Sequence, residues 1–238
     1  MILYYIRHGE PIYNPDSLTE LGHKQANALS KRLSLYGLDE IYSSSSVRAQ
    51  FTAAPTAQAL GKDVKVLDWM REDYAMQELG LYREDGVYTW AMFMPKYKQL
   101  FNTPEVRAMG AKWYEHPAFP EKFGDGVKRV DTETDKLLLS LGYRHDRENC
   151  RYEAVEPNEK RVGIFAHQGF GMSFLSSVLD VPYNQFSTRF DLSHSSVTVI
   201  HFKVEEDGYV YPKTLQLAND SHLYKEGLLT GYNNELDI

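Results

Sequence analysis

Two histidines occupy matching points in the sequence, each directly after a short apolar run. His8 lies in the tripeptide RHG (7–9), after apolar residues 2–6, and His167 lies in HQG (167–169), after apolar residues 162–166. A neutral imidazole can attack phosphorus, and a guanidinium such as that of Arg7 or Arg48 can bind two phosphate oxygens at once. These residue types therefore predict phosphoryl chemistry in which cations and hydrogen-bond donors stabilise the charge and no metal is required.

The elements around these residues indicate how they would be brought together. Residues 2–6 and 162–166 are continuous apolar runs, typical of strands covered on both faces. Further strands are predicted around Ile41 and in DVKVLDW (63–69), and helices alternate with the strands. This alternation predicts a parallel sheet, at whose carboxyl edge ligands bind. Both histidines and Arg48 are expected at that edge, where Gly9, Gly169 and Gly171 would let backbone N–H groups approach an anion.

Capping residues predict the ends of the first two helices. Ser17 and Glu20 are predicted to form a capping box for a helix that stops at Gly37. The second helix is expected to run to about Leu60, and Pro55 inside it predicts a kink or a late start.

Two more elements are predicted in the second half of the chain. A regular helix is expected around residues 127–141, and another between Gly169 and Pro182. Towards the C-terminus, Asp207 and Gly208 predict the turn of a β-hairpin.

Composition limits the kind of protein that this chain can be. It has 238 residues, 42% of them hydrophobic, and a net charge of −7 without long like-charge blocks, so attraction to nucleic acid or anionic membranes is not expected. Cys150 is the single cysteine, which excludes an internal disulfide and argues against a structural zinc site. With no signal peptide or membrane span recognised, we expect one soluble, cytoplasmic domain over residues 1–238. The oligomeric state is left open.

Residues 74–125 interrupt the alternation of strands and helices. They are crowded with aromatic residues and have no clear periodicity. We interpret them as an insertion with helical pieces that is either a flap over the core or a lid or wall of a pocket.

Four motifs in order make the chain resemble the histidine phosphatase superfamily, the phosphoglycerate-mutase-like proteins. They are RHGE, LTELGHKQA, IYSSSSVRAQFTA and GIFAHQG, and LANDSHL near the C-terminus is similar to a tail of many phosphatase members. The resemblance implies a three-layer α/β sandwich with a mostly parallel sheet and helices on both faces.

The resemblance also implies roles for individual residues. His8 would be the nucleophile that becomes phosphohistidine, while Arg7, Arg48 and His167 would bind and stabilise the phosphoryl group. Asn14 lies where the family often has a pocket asparagine. Pro11 stands where the family often has Thr or Ser, so one hydroxyl contact to the ligand is missing.

A general acid is also required, because the leaving oxygen of a phosphate ester needs a proton. The family usually supplies a carboxylate soon after the third strand, and Glu72 in LDWMRED is our choice. The glycine and tryptophan that commonly follow are absent or displaced, so Asp73 and Glu78 stay open as alternatives. Gln168 is expected to present its backbone N–H or its side chain to a phosphate oxygen.

Residues near the C-terminus have a structural interpretation. Asp220 and His222 are expected to hold the C-terminal segment in place. His194 and Ser195 precede a predicted strand, and a role near the pocket stays open for them.

The function predicted from these residues is phosphomonoesterase activity on a small phosphorylated metabolite, without a metal or organic cofactor. Phosphoglycerate-mutase-type transfer is one alternative. However, the characteristic sequences that cofactor-dependent mutases carry after RHGE and after the general acid residue are absent. The other is a catalytically weak protein that binds a phosphate ligand.

Overall fold

A six-stranded sheet forms the centre of the computed structural model, which describes residues 1–232. In spatial order its strands are β13 (Lys213–Asn219), β11 (Val197–His201), β1 (Ile2–Arg7), β10 (Arg161–Ala166), β4 (Glu40–Ser44) and β5 (Val64–Leu67). The last four are mutually parallel, whereas β11 runs antiparallel to both of its neighbours. The predicted mostly parallel sheet is confirmed, and the apolar run of β1 is buried between two strands as expected.

Helices cover both faces of this sheet. They are α1 (Glu20–Tyr36), α2 (Val47–Leu60), α3 (Glu72–Leu79), α4 (Pro95–Phe101), α5 (Pro104–Ala108), α6 (Glu121–Ser140), α7 (Gln168–Leu179), α8 (Tyr183–Phe186) and α9 (Ser221–Lys225). Tyr4 and Ile6 of β1 join a core cluster with α1 and α2, whereas Leu3 and Tyr5 join a larger cluster with α3, α6 and α7. Because neighbouring strand residues point to opposite faces, β1 is buried between two helical layers, and the three-layer α/β sandwich is confirmed.

Small strands complete the fold. β2 (Pro11–Tyr13) and β3 (Asp16–Leu18) form a hairpin, β6 (Gly80–Tyr82) pairs with β7 (Tyr88–Trp90), and β8 (Tyr143–Asp146), β9 (Arg151–Ala154) and β12 (Tyr209–Val210) form a three-stranded sheet. Within residues 1–232, no helix combines the length and apolar character that crossing a bilayer requires.

The start of α1 differs from the predicted capping box. Thr19 is the N-cap, and its Oγ accepts a hydrogen bond from the Gly22 backbone N–H at 3.0 Å. Ser17 instead pairs with Ile12 in the β2–β3 hairpin, which places it too early to cap the helix. The stop at Gly37 is as predicted.

The second helix passes through its proline. α2 begins at Val47 and ends at Leu60 with Pro55 inside, so the alternative of a late start is wrong. The third strand predicted in DVKVLDW is confirmed as β5, and the helices predicted around residues 127–141 and before Pro182 are α6 and α7.

The predicted C-terminal hairpin is also corrected. Gly208 lies in a turn with a φ of 82°, as the Asp207-Gly208 pair suggested. The strand after this turn, β12, pairs with β9, while β11 is flanked by β1 and β13. Since both edges of β11 are occupied, β12 does not pair with it. β12 contacts the residues just before the turn through the bridge between Val204 and Val210 and a hydrogen bond from the Glu205 backbone N–H to the Tyr209 carbonyl oxygen at 2.8 Å.

The aromatic-rich segment at 74–125 contributes to the core and to a cleft. Phe101, Trp113, Phe119 and Phe123 are buried and belong to the same core cluster as Leu3 and Tyr5. Trp90, at the end of β7, lines a cleft beside Arg48. This segment therefore both covers the core and forms part of a pocket wall.

Candidate active site

The two histidines lie side by side because their strands are neighbours in register. Arg7, the last residue of β1, is paired with Ala166, the last residue of β10, so His8 and His167 follow at the same edge. Their ring centroids are 5.2 Å apart, and the side chains of both residues are almost fully buried. Adjacent parallel strands thus bring together two residues that are 159 positions apart.

The tautomer of His8 follows from its hydrogen bond. Nδ1 lies 2.6 Å from the Gly9 carbonyl oxygen, which can only accept, so Nδ1 carries the proton and Nε2 has a free lone pair. Burial, together with the positive charges of Arg7 and Arg48 and the nearby His167, holds the pKa of His8 well below its usual 6.5. The imidazole is therefore neutral at pH 7, with Nε2 ready to act as a nucleophile.

His167 is also neutral, and it is held from the neighbouring strand. Its Nε2 lies 2.9 Å from the Ser44 Oγ at the end of β4. Burial and the charges of Arg48 and Arg7 hold the pKa of His167 well below its usual 6.5. Ser44 was not singled out by the sequence, where it is one of four consecutive serines.

Arg7 is anchored at the floor of the site. It is 1% exposed, and Nη1 donates a hydrogen bond to the Leu192 carbonyl oxygen. Burial lowers the pKa of Arg7 from its usual value, while the negative charges of Glu72 and Asp191 act in the opposite direction. Its positive charge is therefore fixed beside His8.

Arg48 is bound by two carboxylates. Nη1 donates to Asp16 Oδ1 at 2.8 Å, and Nη2 lies 3.3 Å from Glu72 Oε2. Asp16 also accepts a hydrogen bond from the Val47 backbone N–H at 2.7 Å, at the first turn of α2. Asp16 is a site residue that the sequence analysis missed, because nothing in its local sequence connects it with a residue 32 positions later.

Of the three acid candidates, Glu72 is the one in contact with the histidine site. It is the first residue of α3, and Oε1 accepts a hydrogen bond from the Gly169 backbone N–H at 2.8 Å. Its other oxygen lies 3.7 Å from His167 Nδ1. The carboxylate therefore sits at the N-terminus of α7, where the backbone N–H groups favour a negative charge.

The other two carboxylates are bound elsewhere. Asp73 lines the same cleft but pairs with Arg71. Glu78 forms two hydrogen bonds with the Arg129 guanidinium, at 2.6 and 2.7 Å.

The glycines of the two motifs are required by packing. A Cβ on Gly9 would lie 2.7 Å from the Gly22 carbonyl oxygen of α1, and one on Gly169 would lie 2.1 Å from the Trp90 ring. The Gly169 backbone N–H donates to the carboxylate of Glu72, and its approach to a bound anion stays a prediction. Close packing at these positions allows α1 and Trp90 to lie against the two loops.

Asn14 and Gln168, both predicted to contact phosphate, differ in how far they are buried. Asn14 is exposed in the turn between β2 and β3, and it is not among the residues that line the cleft. Gln168, the first residue of α7, is buried, and its side-chain nitrogen donates to Asp191 at 2.9 Å. Their contacts with phosphate remain predictions.

The segment near the C-terminus supports the loop behind His8. The Ser195 backbone N–H donates to the His8 carbonyl oxygen at 3.0 Å, and Ser195 Oγ lies 3.0 Å from His222 Nε2. Ser193 Oγ donates to Asp220 at 2.9 Å. Burial and the charge of Arg32 lower the pKa of His222 to about 4, so this histidine is neutral.

His194 lies beside the nucleophile candidate. Its ring centroid is 6.1 Å from that of His8. The sequence left its role open, since only the antiparallel pairing of β11 with β1 brings the loop before β11 to this edge.

A cleft of about 460 Å³ adjoins the site and shares Asp16, Arg48 and Glu72 with it. It is lined by Tyr13, Asp16, Ser46, Arg48, Arg71, Glu72, Asp73, Met76 and Trp90. Apolar and aromatic side chains thus share the walls with charged groups, which suits a small polar ligand.

Three of the site residues could also ligate a metal ion. His8, Glu72 and His167 offer ligand atoms within 4.8 Å of one another, a donor set that zinc accepts. Arg48 already contacts the same Glu72 carboxylate, and Arg7 and Arg48 both lower the pKa values of the histidines. The positive charges of Arg7 and Arg48, which together with burial disfavour imidazolium, also disfavour a metal cation and favour an anion.

Known proteins resemble this chain in sequence profile and in fold. The sequence profile of the histidine phosphatase superfamily (branch 1) matches residues 3–211. A search among curated proteins finds no match. A phosphoserine phosphatase mutant from Entamoeba histolytica, solved with phosphoserine, is 19% identical with a TM-score of 0.59, covering 93% of this chain and 98% of its own.

Two further solved structures are similar. The same enzyme from Entamoeba histolytica with 3-phosphoglyceric acid is 21% identical, with a TM-score of 0.59 and coverage of 93% of this chain and 98% of its own. A mycobacterial glucosyl-3-phosphoglycerate phosphatase is 21% identical, with a TM-score of 0.57 and coverage of 91% and 98%. At these identities the likeness shows a shared fold.

Proposed function

The chain belongs to the histidine phosphatase superfamily, and from this we propose that it hydrolyses phosphate monoesters of small metabolites through a phosphohistidine at His8. One observation carries the proposal: a neutral, buried histidine with a free Nε2 lies among two arginines, a second neutral histidine and a carboxylate. A phosphoryl group requires a nucleophile, cations for its oxygens and a proton for its leaving group.

In the first step, His8 Nε2 attacks phosphorus and the bond to the ester oxygen breaks. Glu72, in its protonated form, gives its proton to the departing oxygen, so that an alcohol leaves. Arg7 and Arg48 offset the charge on the phosphoryl oxygens. With Ser44 Oγ as donor to His167 Nε2, the Nδ1–H of His167 is left to donate to a phosphoryl oxygen.

In the second step, water attacks the phosphohistidine. The Glu72 carboxylate, now unprotonated, accepts a proton from this water, and the bond between phosphorus and Nε2 breaks. Inorganic phosphate leaves and His8 returns to its neutral form. One difficult hydrolysis is thereby replaced by two displacements at fixed groups.

Binding of the phosphoryl group exchanges the partners of Arg48. Without ligand, this guanidinium is held by Asp16 and Glu72. A planar guanidinium binds two phosphate oxygens through two parallel N–H···O bonds, which is a stronger interaction than its single contact with one carboxylate oxygen. We infer that the phosphoryl group takes the place of Glu72 on Arg48, which frees the carboxylate for proton transfer.

The cleft supports a small substrate. Tyr13, Met76 and Trp90 offer apolar surface, and the Arg71–Asp73 pair offers one positive and one negative group. The solved relatives act on or bind phosphoserine, 3-phosphoglyceric acid and, by name, glucosyl-3-phosphoglycerate. We therefore expect a phosphorylated metabolite of comparable size as the substrate, and the net charge of −7 does not favour nucleic acid. The one cysteine, free and exposed, suits a reducing compartment such as the cytoplasm.

The proposal is tested with p-nitrophenyl phosphate in the presence of a metal chelator. The parent protein should release phosphate, and rapid quenching with radiolabelled substrate should trap an acid-labile, alkali-stable phosphoprotein. His8→Ala should lower turnover by roughly 10³-fold or more and abolish the trapped species. His23→Ala, which changes an exposed histidine, serves as the control.

Each outcome separates the alternatives. A His8→Ala protein that is as active as the parent would overturn the catalytic role. A protein that binds phosphate but forms no phosphohistidine would be a binding protein, and one that passes the label to an added sugar-acid hydroxyl in preference to water would be a mutase.

A further inference from the structure

A second cavity, with a volume of about 260 Å³, shares no lining residue with the cleft described above. It is formed by α6, α7 and the three-ten helical turn Gly110–Glu115. Ala111, Lys112 and Cys150 on its rim are exposed, whereas Trp113, Val130 and Ser173 on its floor are buried. The cavity is therefore open to solvent at one end.

Aromatic side chains make up much of its wall. Trp113 and Tyr183 are stacked, with centroids 5.7 Å apart and an angle of 23° between their planes, and Tyr114 stands next to Trp113. Val127, Val181 and Pro182 add aliphatic surface. A flat ring can pack against such a wall with a gain beyond simple burial.

The charged groups of the cavity floor are already paired. Arg147 contacts Asp131 at 3.2 Å and Asp135 at 2.7 Å, and Asp180 contacts His145 at 3.0 Å. A charged ligand would lose its hydration without meeting an unpaired opposite charge on this floor. The floor therefore favours a neutral ligand, and among residues 1–232 the only further charged side chain in the lining, Lys112, lies on the exposed rim.

Three serines of α7 line the cavity, and one of them differs from the others. Ser176 Oγ donates to the Met172 carbonyl oxygen, and Ser177 Oγ accepts from Arg147 at 2.9 Å. Ser173 Oγ is buried and has no hydrogen-bond partner among residues 1–232. Because a buried hydroxyl without a partner is costly, this one points to a ligand that carries the missing group.

We propose that this cavity binds a neutral, flat molecule of one or two aromatic rings with one hydroxyl, which pairs with Ser173. The rings pack against Trp113, Tyr114 and Tyr183, and the hydroxyl exchanges a hydrogen bond with Ser173 Oγ. The cavity is larger than the roughly 150 Å³ that holds a benzene ring in an apolar interior, so a second ring has room.

The proposal is tested with 2-naphthol as the probe, followed by its own fluorescence and by calorimetry. Ser173→Ala should weaken 2-naphthol by about 3- to 10-fold, as expected for one lost hydrogen bond, and should leave naphthalene unaffected. Ser176→Ala is the matched control, since its hydroxyl is bonded within α7, and it should change the affinity less than twofold. Equal binding of 2-naphthol by the parent and Ser173→Ala would overturn the proposal.

The location is tested with the single cysteine on the rim. Saturating 2-naphthol should slow the labelling of Cys150 by a maleimide, and Ser173→Leu, which fills the cavity, should abolish both binding and protection. Val127→Phe fills the cavity from α6 and gives the same result if Ser173→Leu does not fold.

The remaining outcomes count against the proposal. Competition by inorganic phosphate would place the probe at the phosphate site beside His8, and tighter binding of 2-naphthoate than of 2-naphthol would contradict the neutral ligand. None of these measurements depends on turnover, so this proposal and the phosphatase proposal can fail separately.

Discussion

The buried histidines of this protein lie in two environments that shift the imidazole pKa in opposite directions. His8 and His167 lie beside arginines, and their pKa values are well below 6.5. His145, whose side chain is also fully buried, lies 2.9 Å from Asp135 and 3.0 Å from Asp180, and its pKa is raised. Burial lowers the pKa in all three cases, but at His145 the hydrogen bonds to two carboxylates outweigh it.

The difference shows what decides the role of a buried histidine. A neutral ring with a free Nε2 can attack an electrophile, as proposed for His8. Both nitrogens of His145 are bound by carboxylates, so it has no lone pair to offer and instead ties β8 to α6 and to the end of α7. The charges that the fold brings around the imidazole, more than its burial, separate a nucleophile from a structural cation.

The largest effect is expected at Glu72, the proposed general acid of the site that contains His8. Glu72→Gln should slow hydrolysis of alkyl phosphates by about 10² to 10⁴, because their leaving oxygen needs a proton, and should slow p-nitrophenyl phosphate far less. Turnover of both substrates is measured. Glu153→Gln, which changes an exposed carboxylate paired with Arg144 outside the cleft, is the control and should change either rate by less than about threefold. Equal losses on the two substrates would count against the acid role.

The next effect tests whether arginine charge keeps His8 neutral. Arg48→Met should lower kcat/KM by about 10² to 10³ through lost charge stabilisation. Since Arg48 lowers the pKa values of His8 and His167, its removal should raise them, and the acidic limb of the pH profile should move to higher pH. Arg83→Met, which removes an exposed arginine paired with Asp85, should change neither quantity. An unmoved acidic limb would contradict the electrostatic explanation.

A smaller effect is expected at His145, which lies between two carboxylates. His145→Gln should lower the free energy of unfolding by about 1–3 kcal/mol at pH 6 and leave kcat within twofold. The raised pKa means that the folded state holds this proton more tightly than the unfolded state. The stabilisation is complete below pH 6.5 and is lost as the pH rises through the higher folded value. The difference between parent and variant should therefore shrink towards alkaline pH.

Urea unfolding across this pH range makes the measurement, with His23→Gln as the exposed control. His8, His167 and His222 have lowered pKa values, so in both proteins their contribution makes stability fall as the pH drops below 6.5. A difference that grows with pH would show that His145 is not held as a cation.

The smallest effect concerns the helix that packs behind His8. Thr19→Ala should cost about 1 kcal/mol, because Thr19 caps α1 and its hydroxyl also donates to the Glu10 carboxylate at 2.6 Å. Ser17→Ala, at the position first assigned to the cap, should cost less than about 0.5 kcal/mol. Chemical denaturation compares the two variants, and a larger cost for Ser17→Ala would reverse the assignment.

The sequence predicted those features that depend on neighbouring residues. Apolar runs located β1 and β10, and the alternation of strands and helices gave the parallel sheet with its ligand-binding edge. The errors are also local: the cap moved from Ser17 to Thr19 because a hairpin precedes α1, and the strand after the Asp207-Gly208 turn takes β9 as its main partner. In each case a strand pairing outweighed a correct local signal.

By itself, the sequence determined that Arg7, His8, Arg48 and His167 would meet at one sheet edge, since motif order and strand periodicity are encoded locally. Only the tertiary structure brought Glu72, and not Asp73 or Glu78, into contact with His167. It also brought Asp16 to Arg48 and Ser44 to His167, and it surrounded His145 with carboxylates. These contacts join residues far apart in the chain, and the charge around each imidazole exists only once the helices and strands have packed.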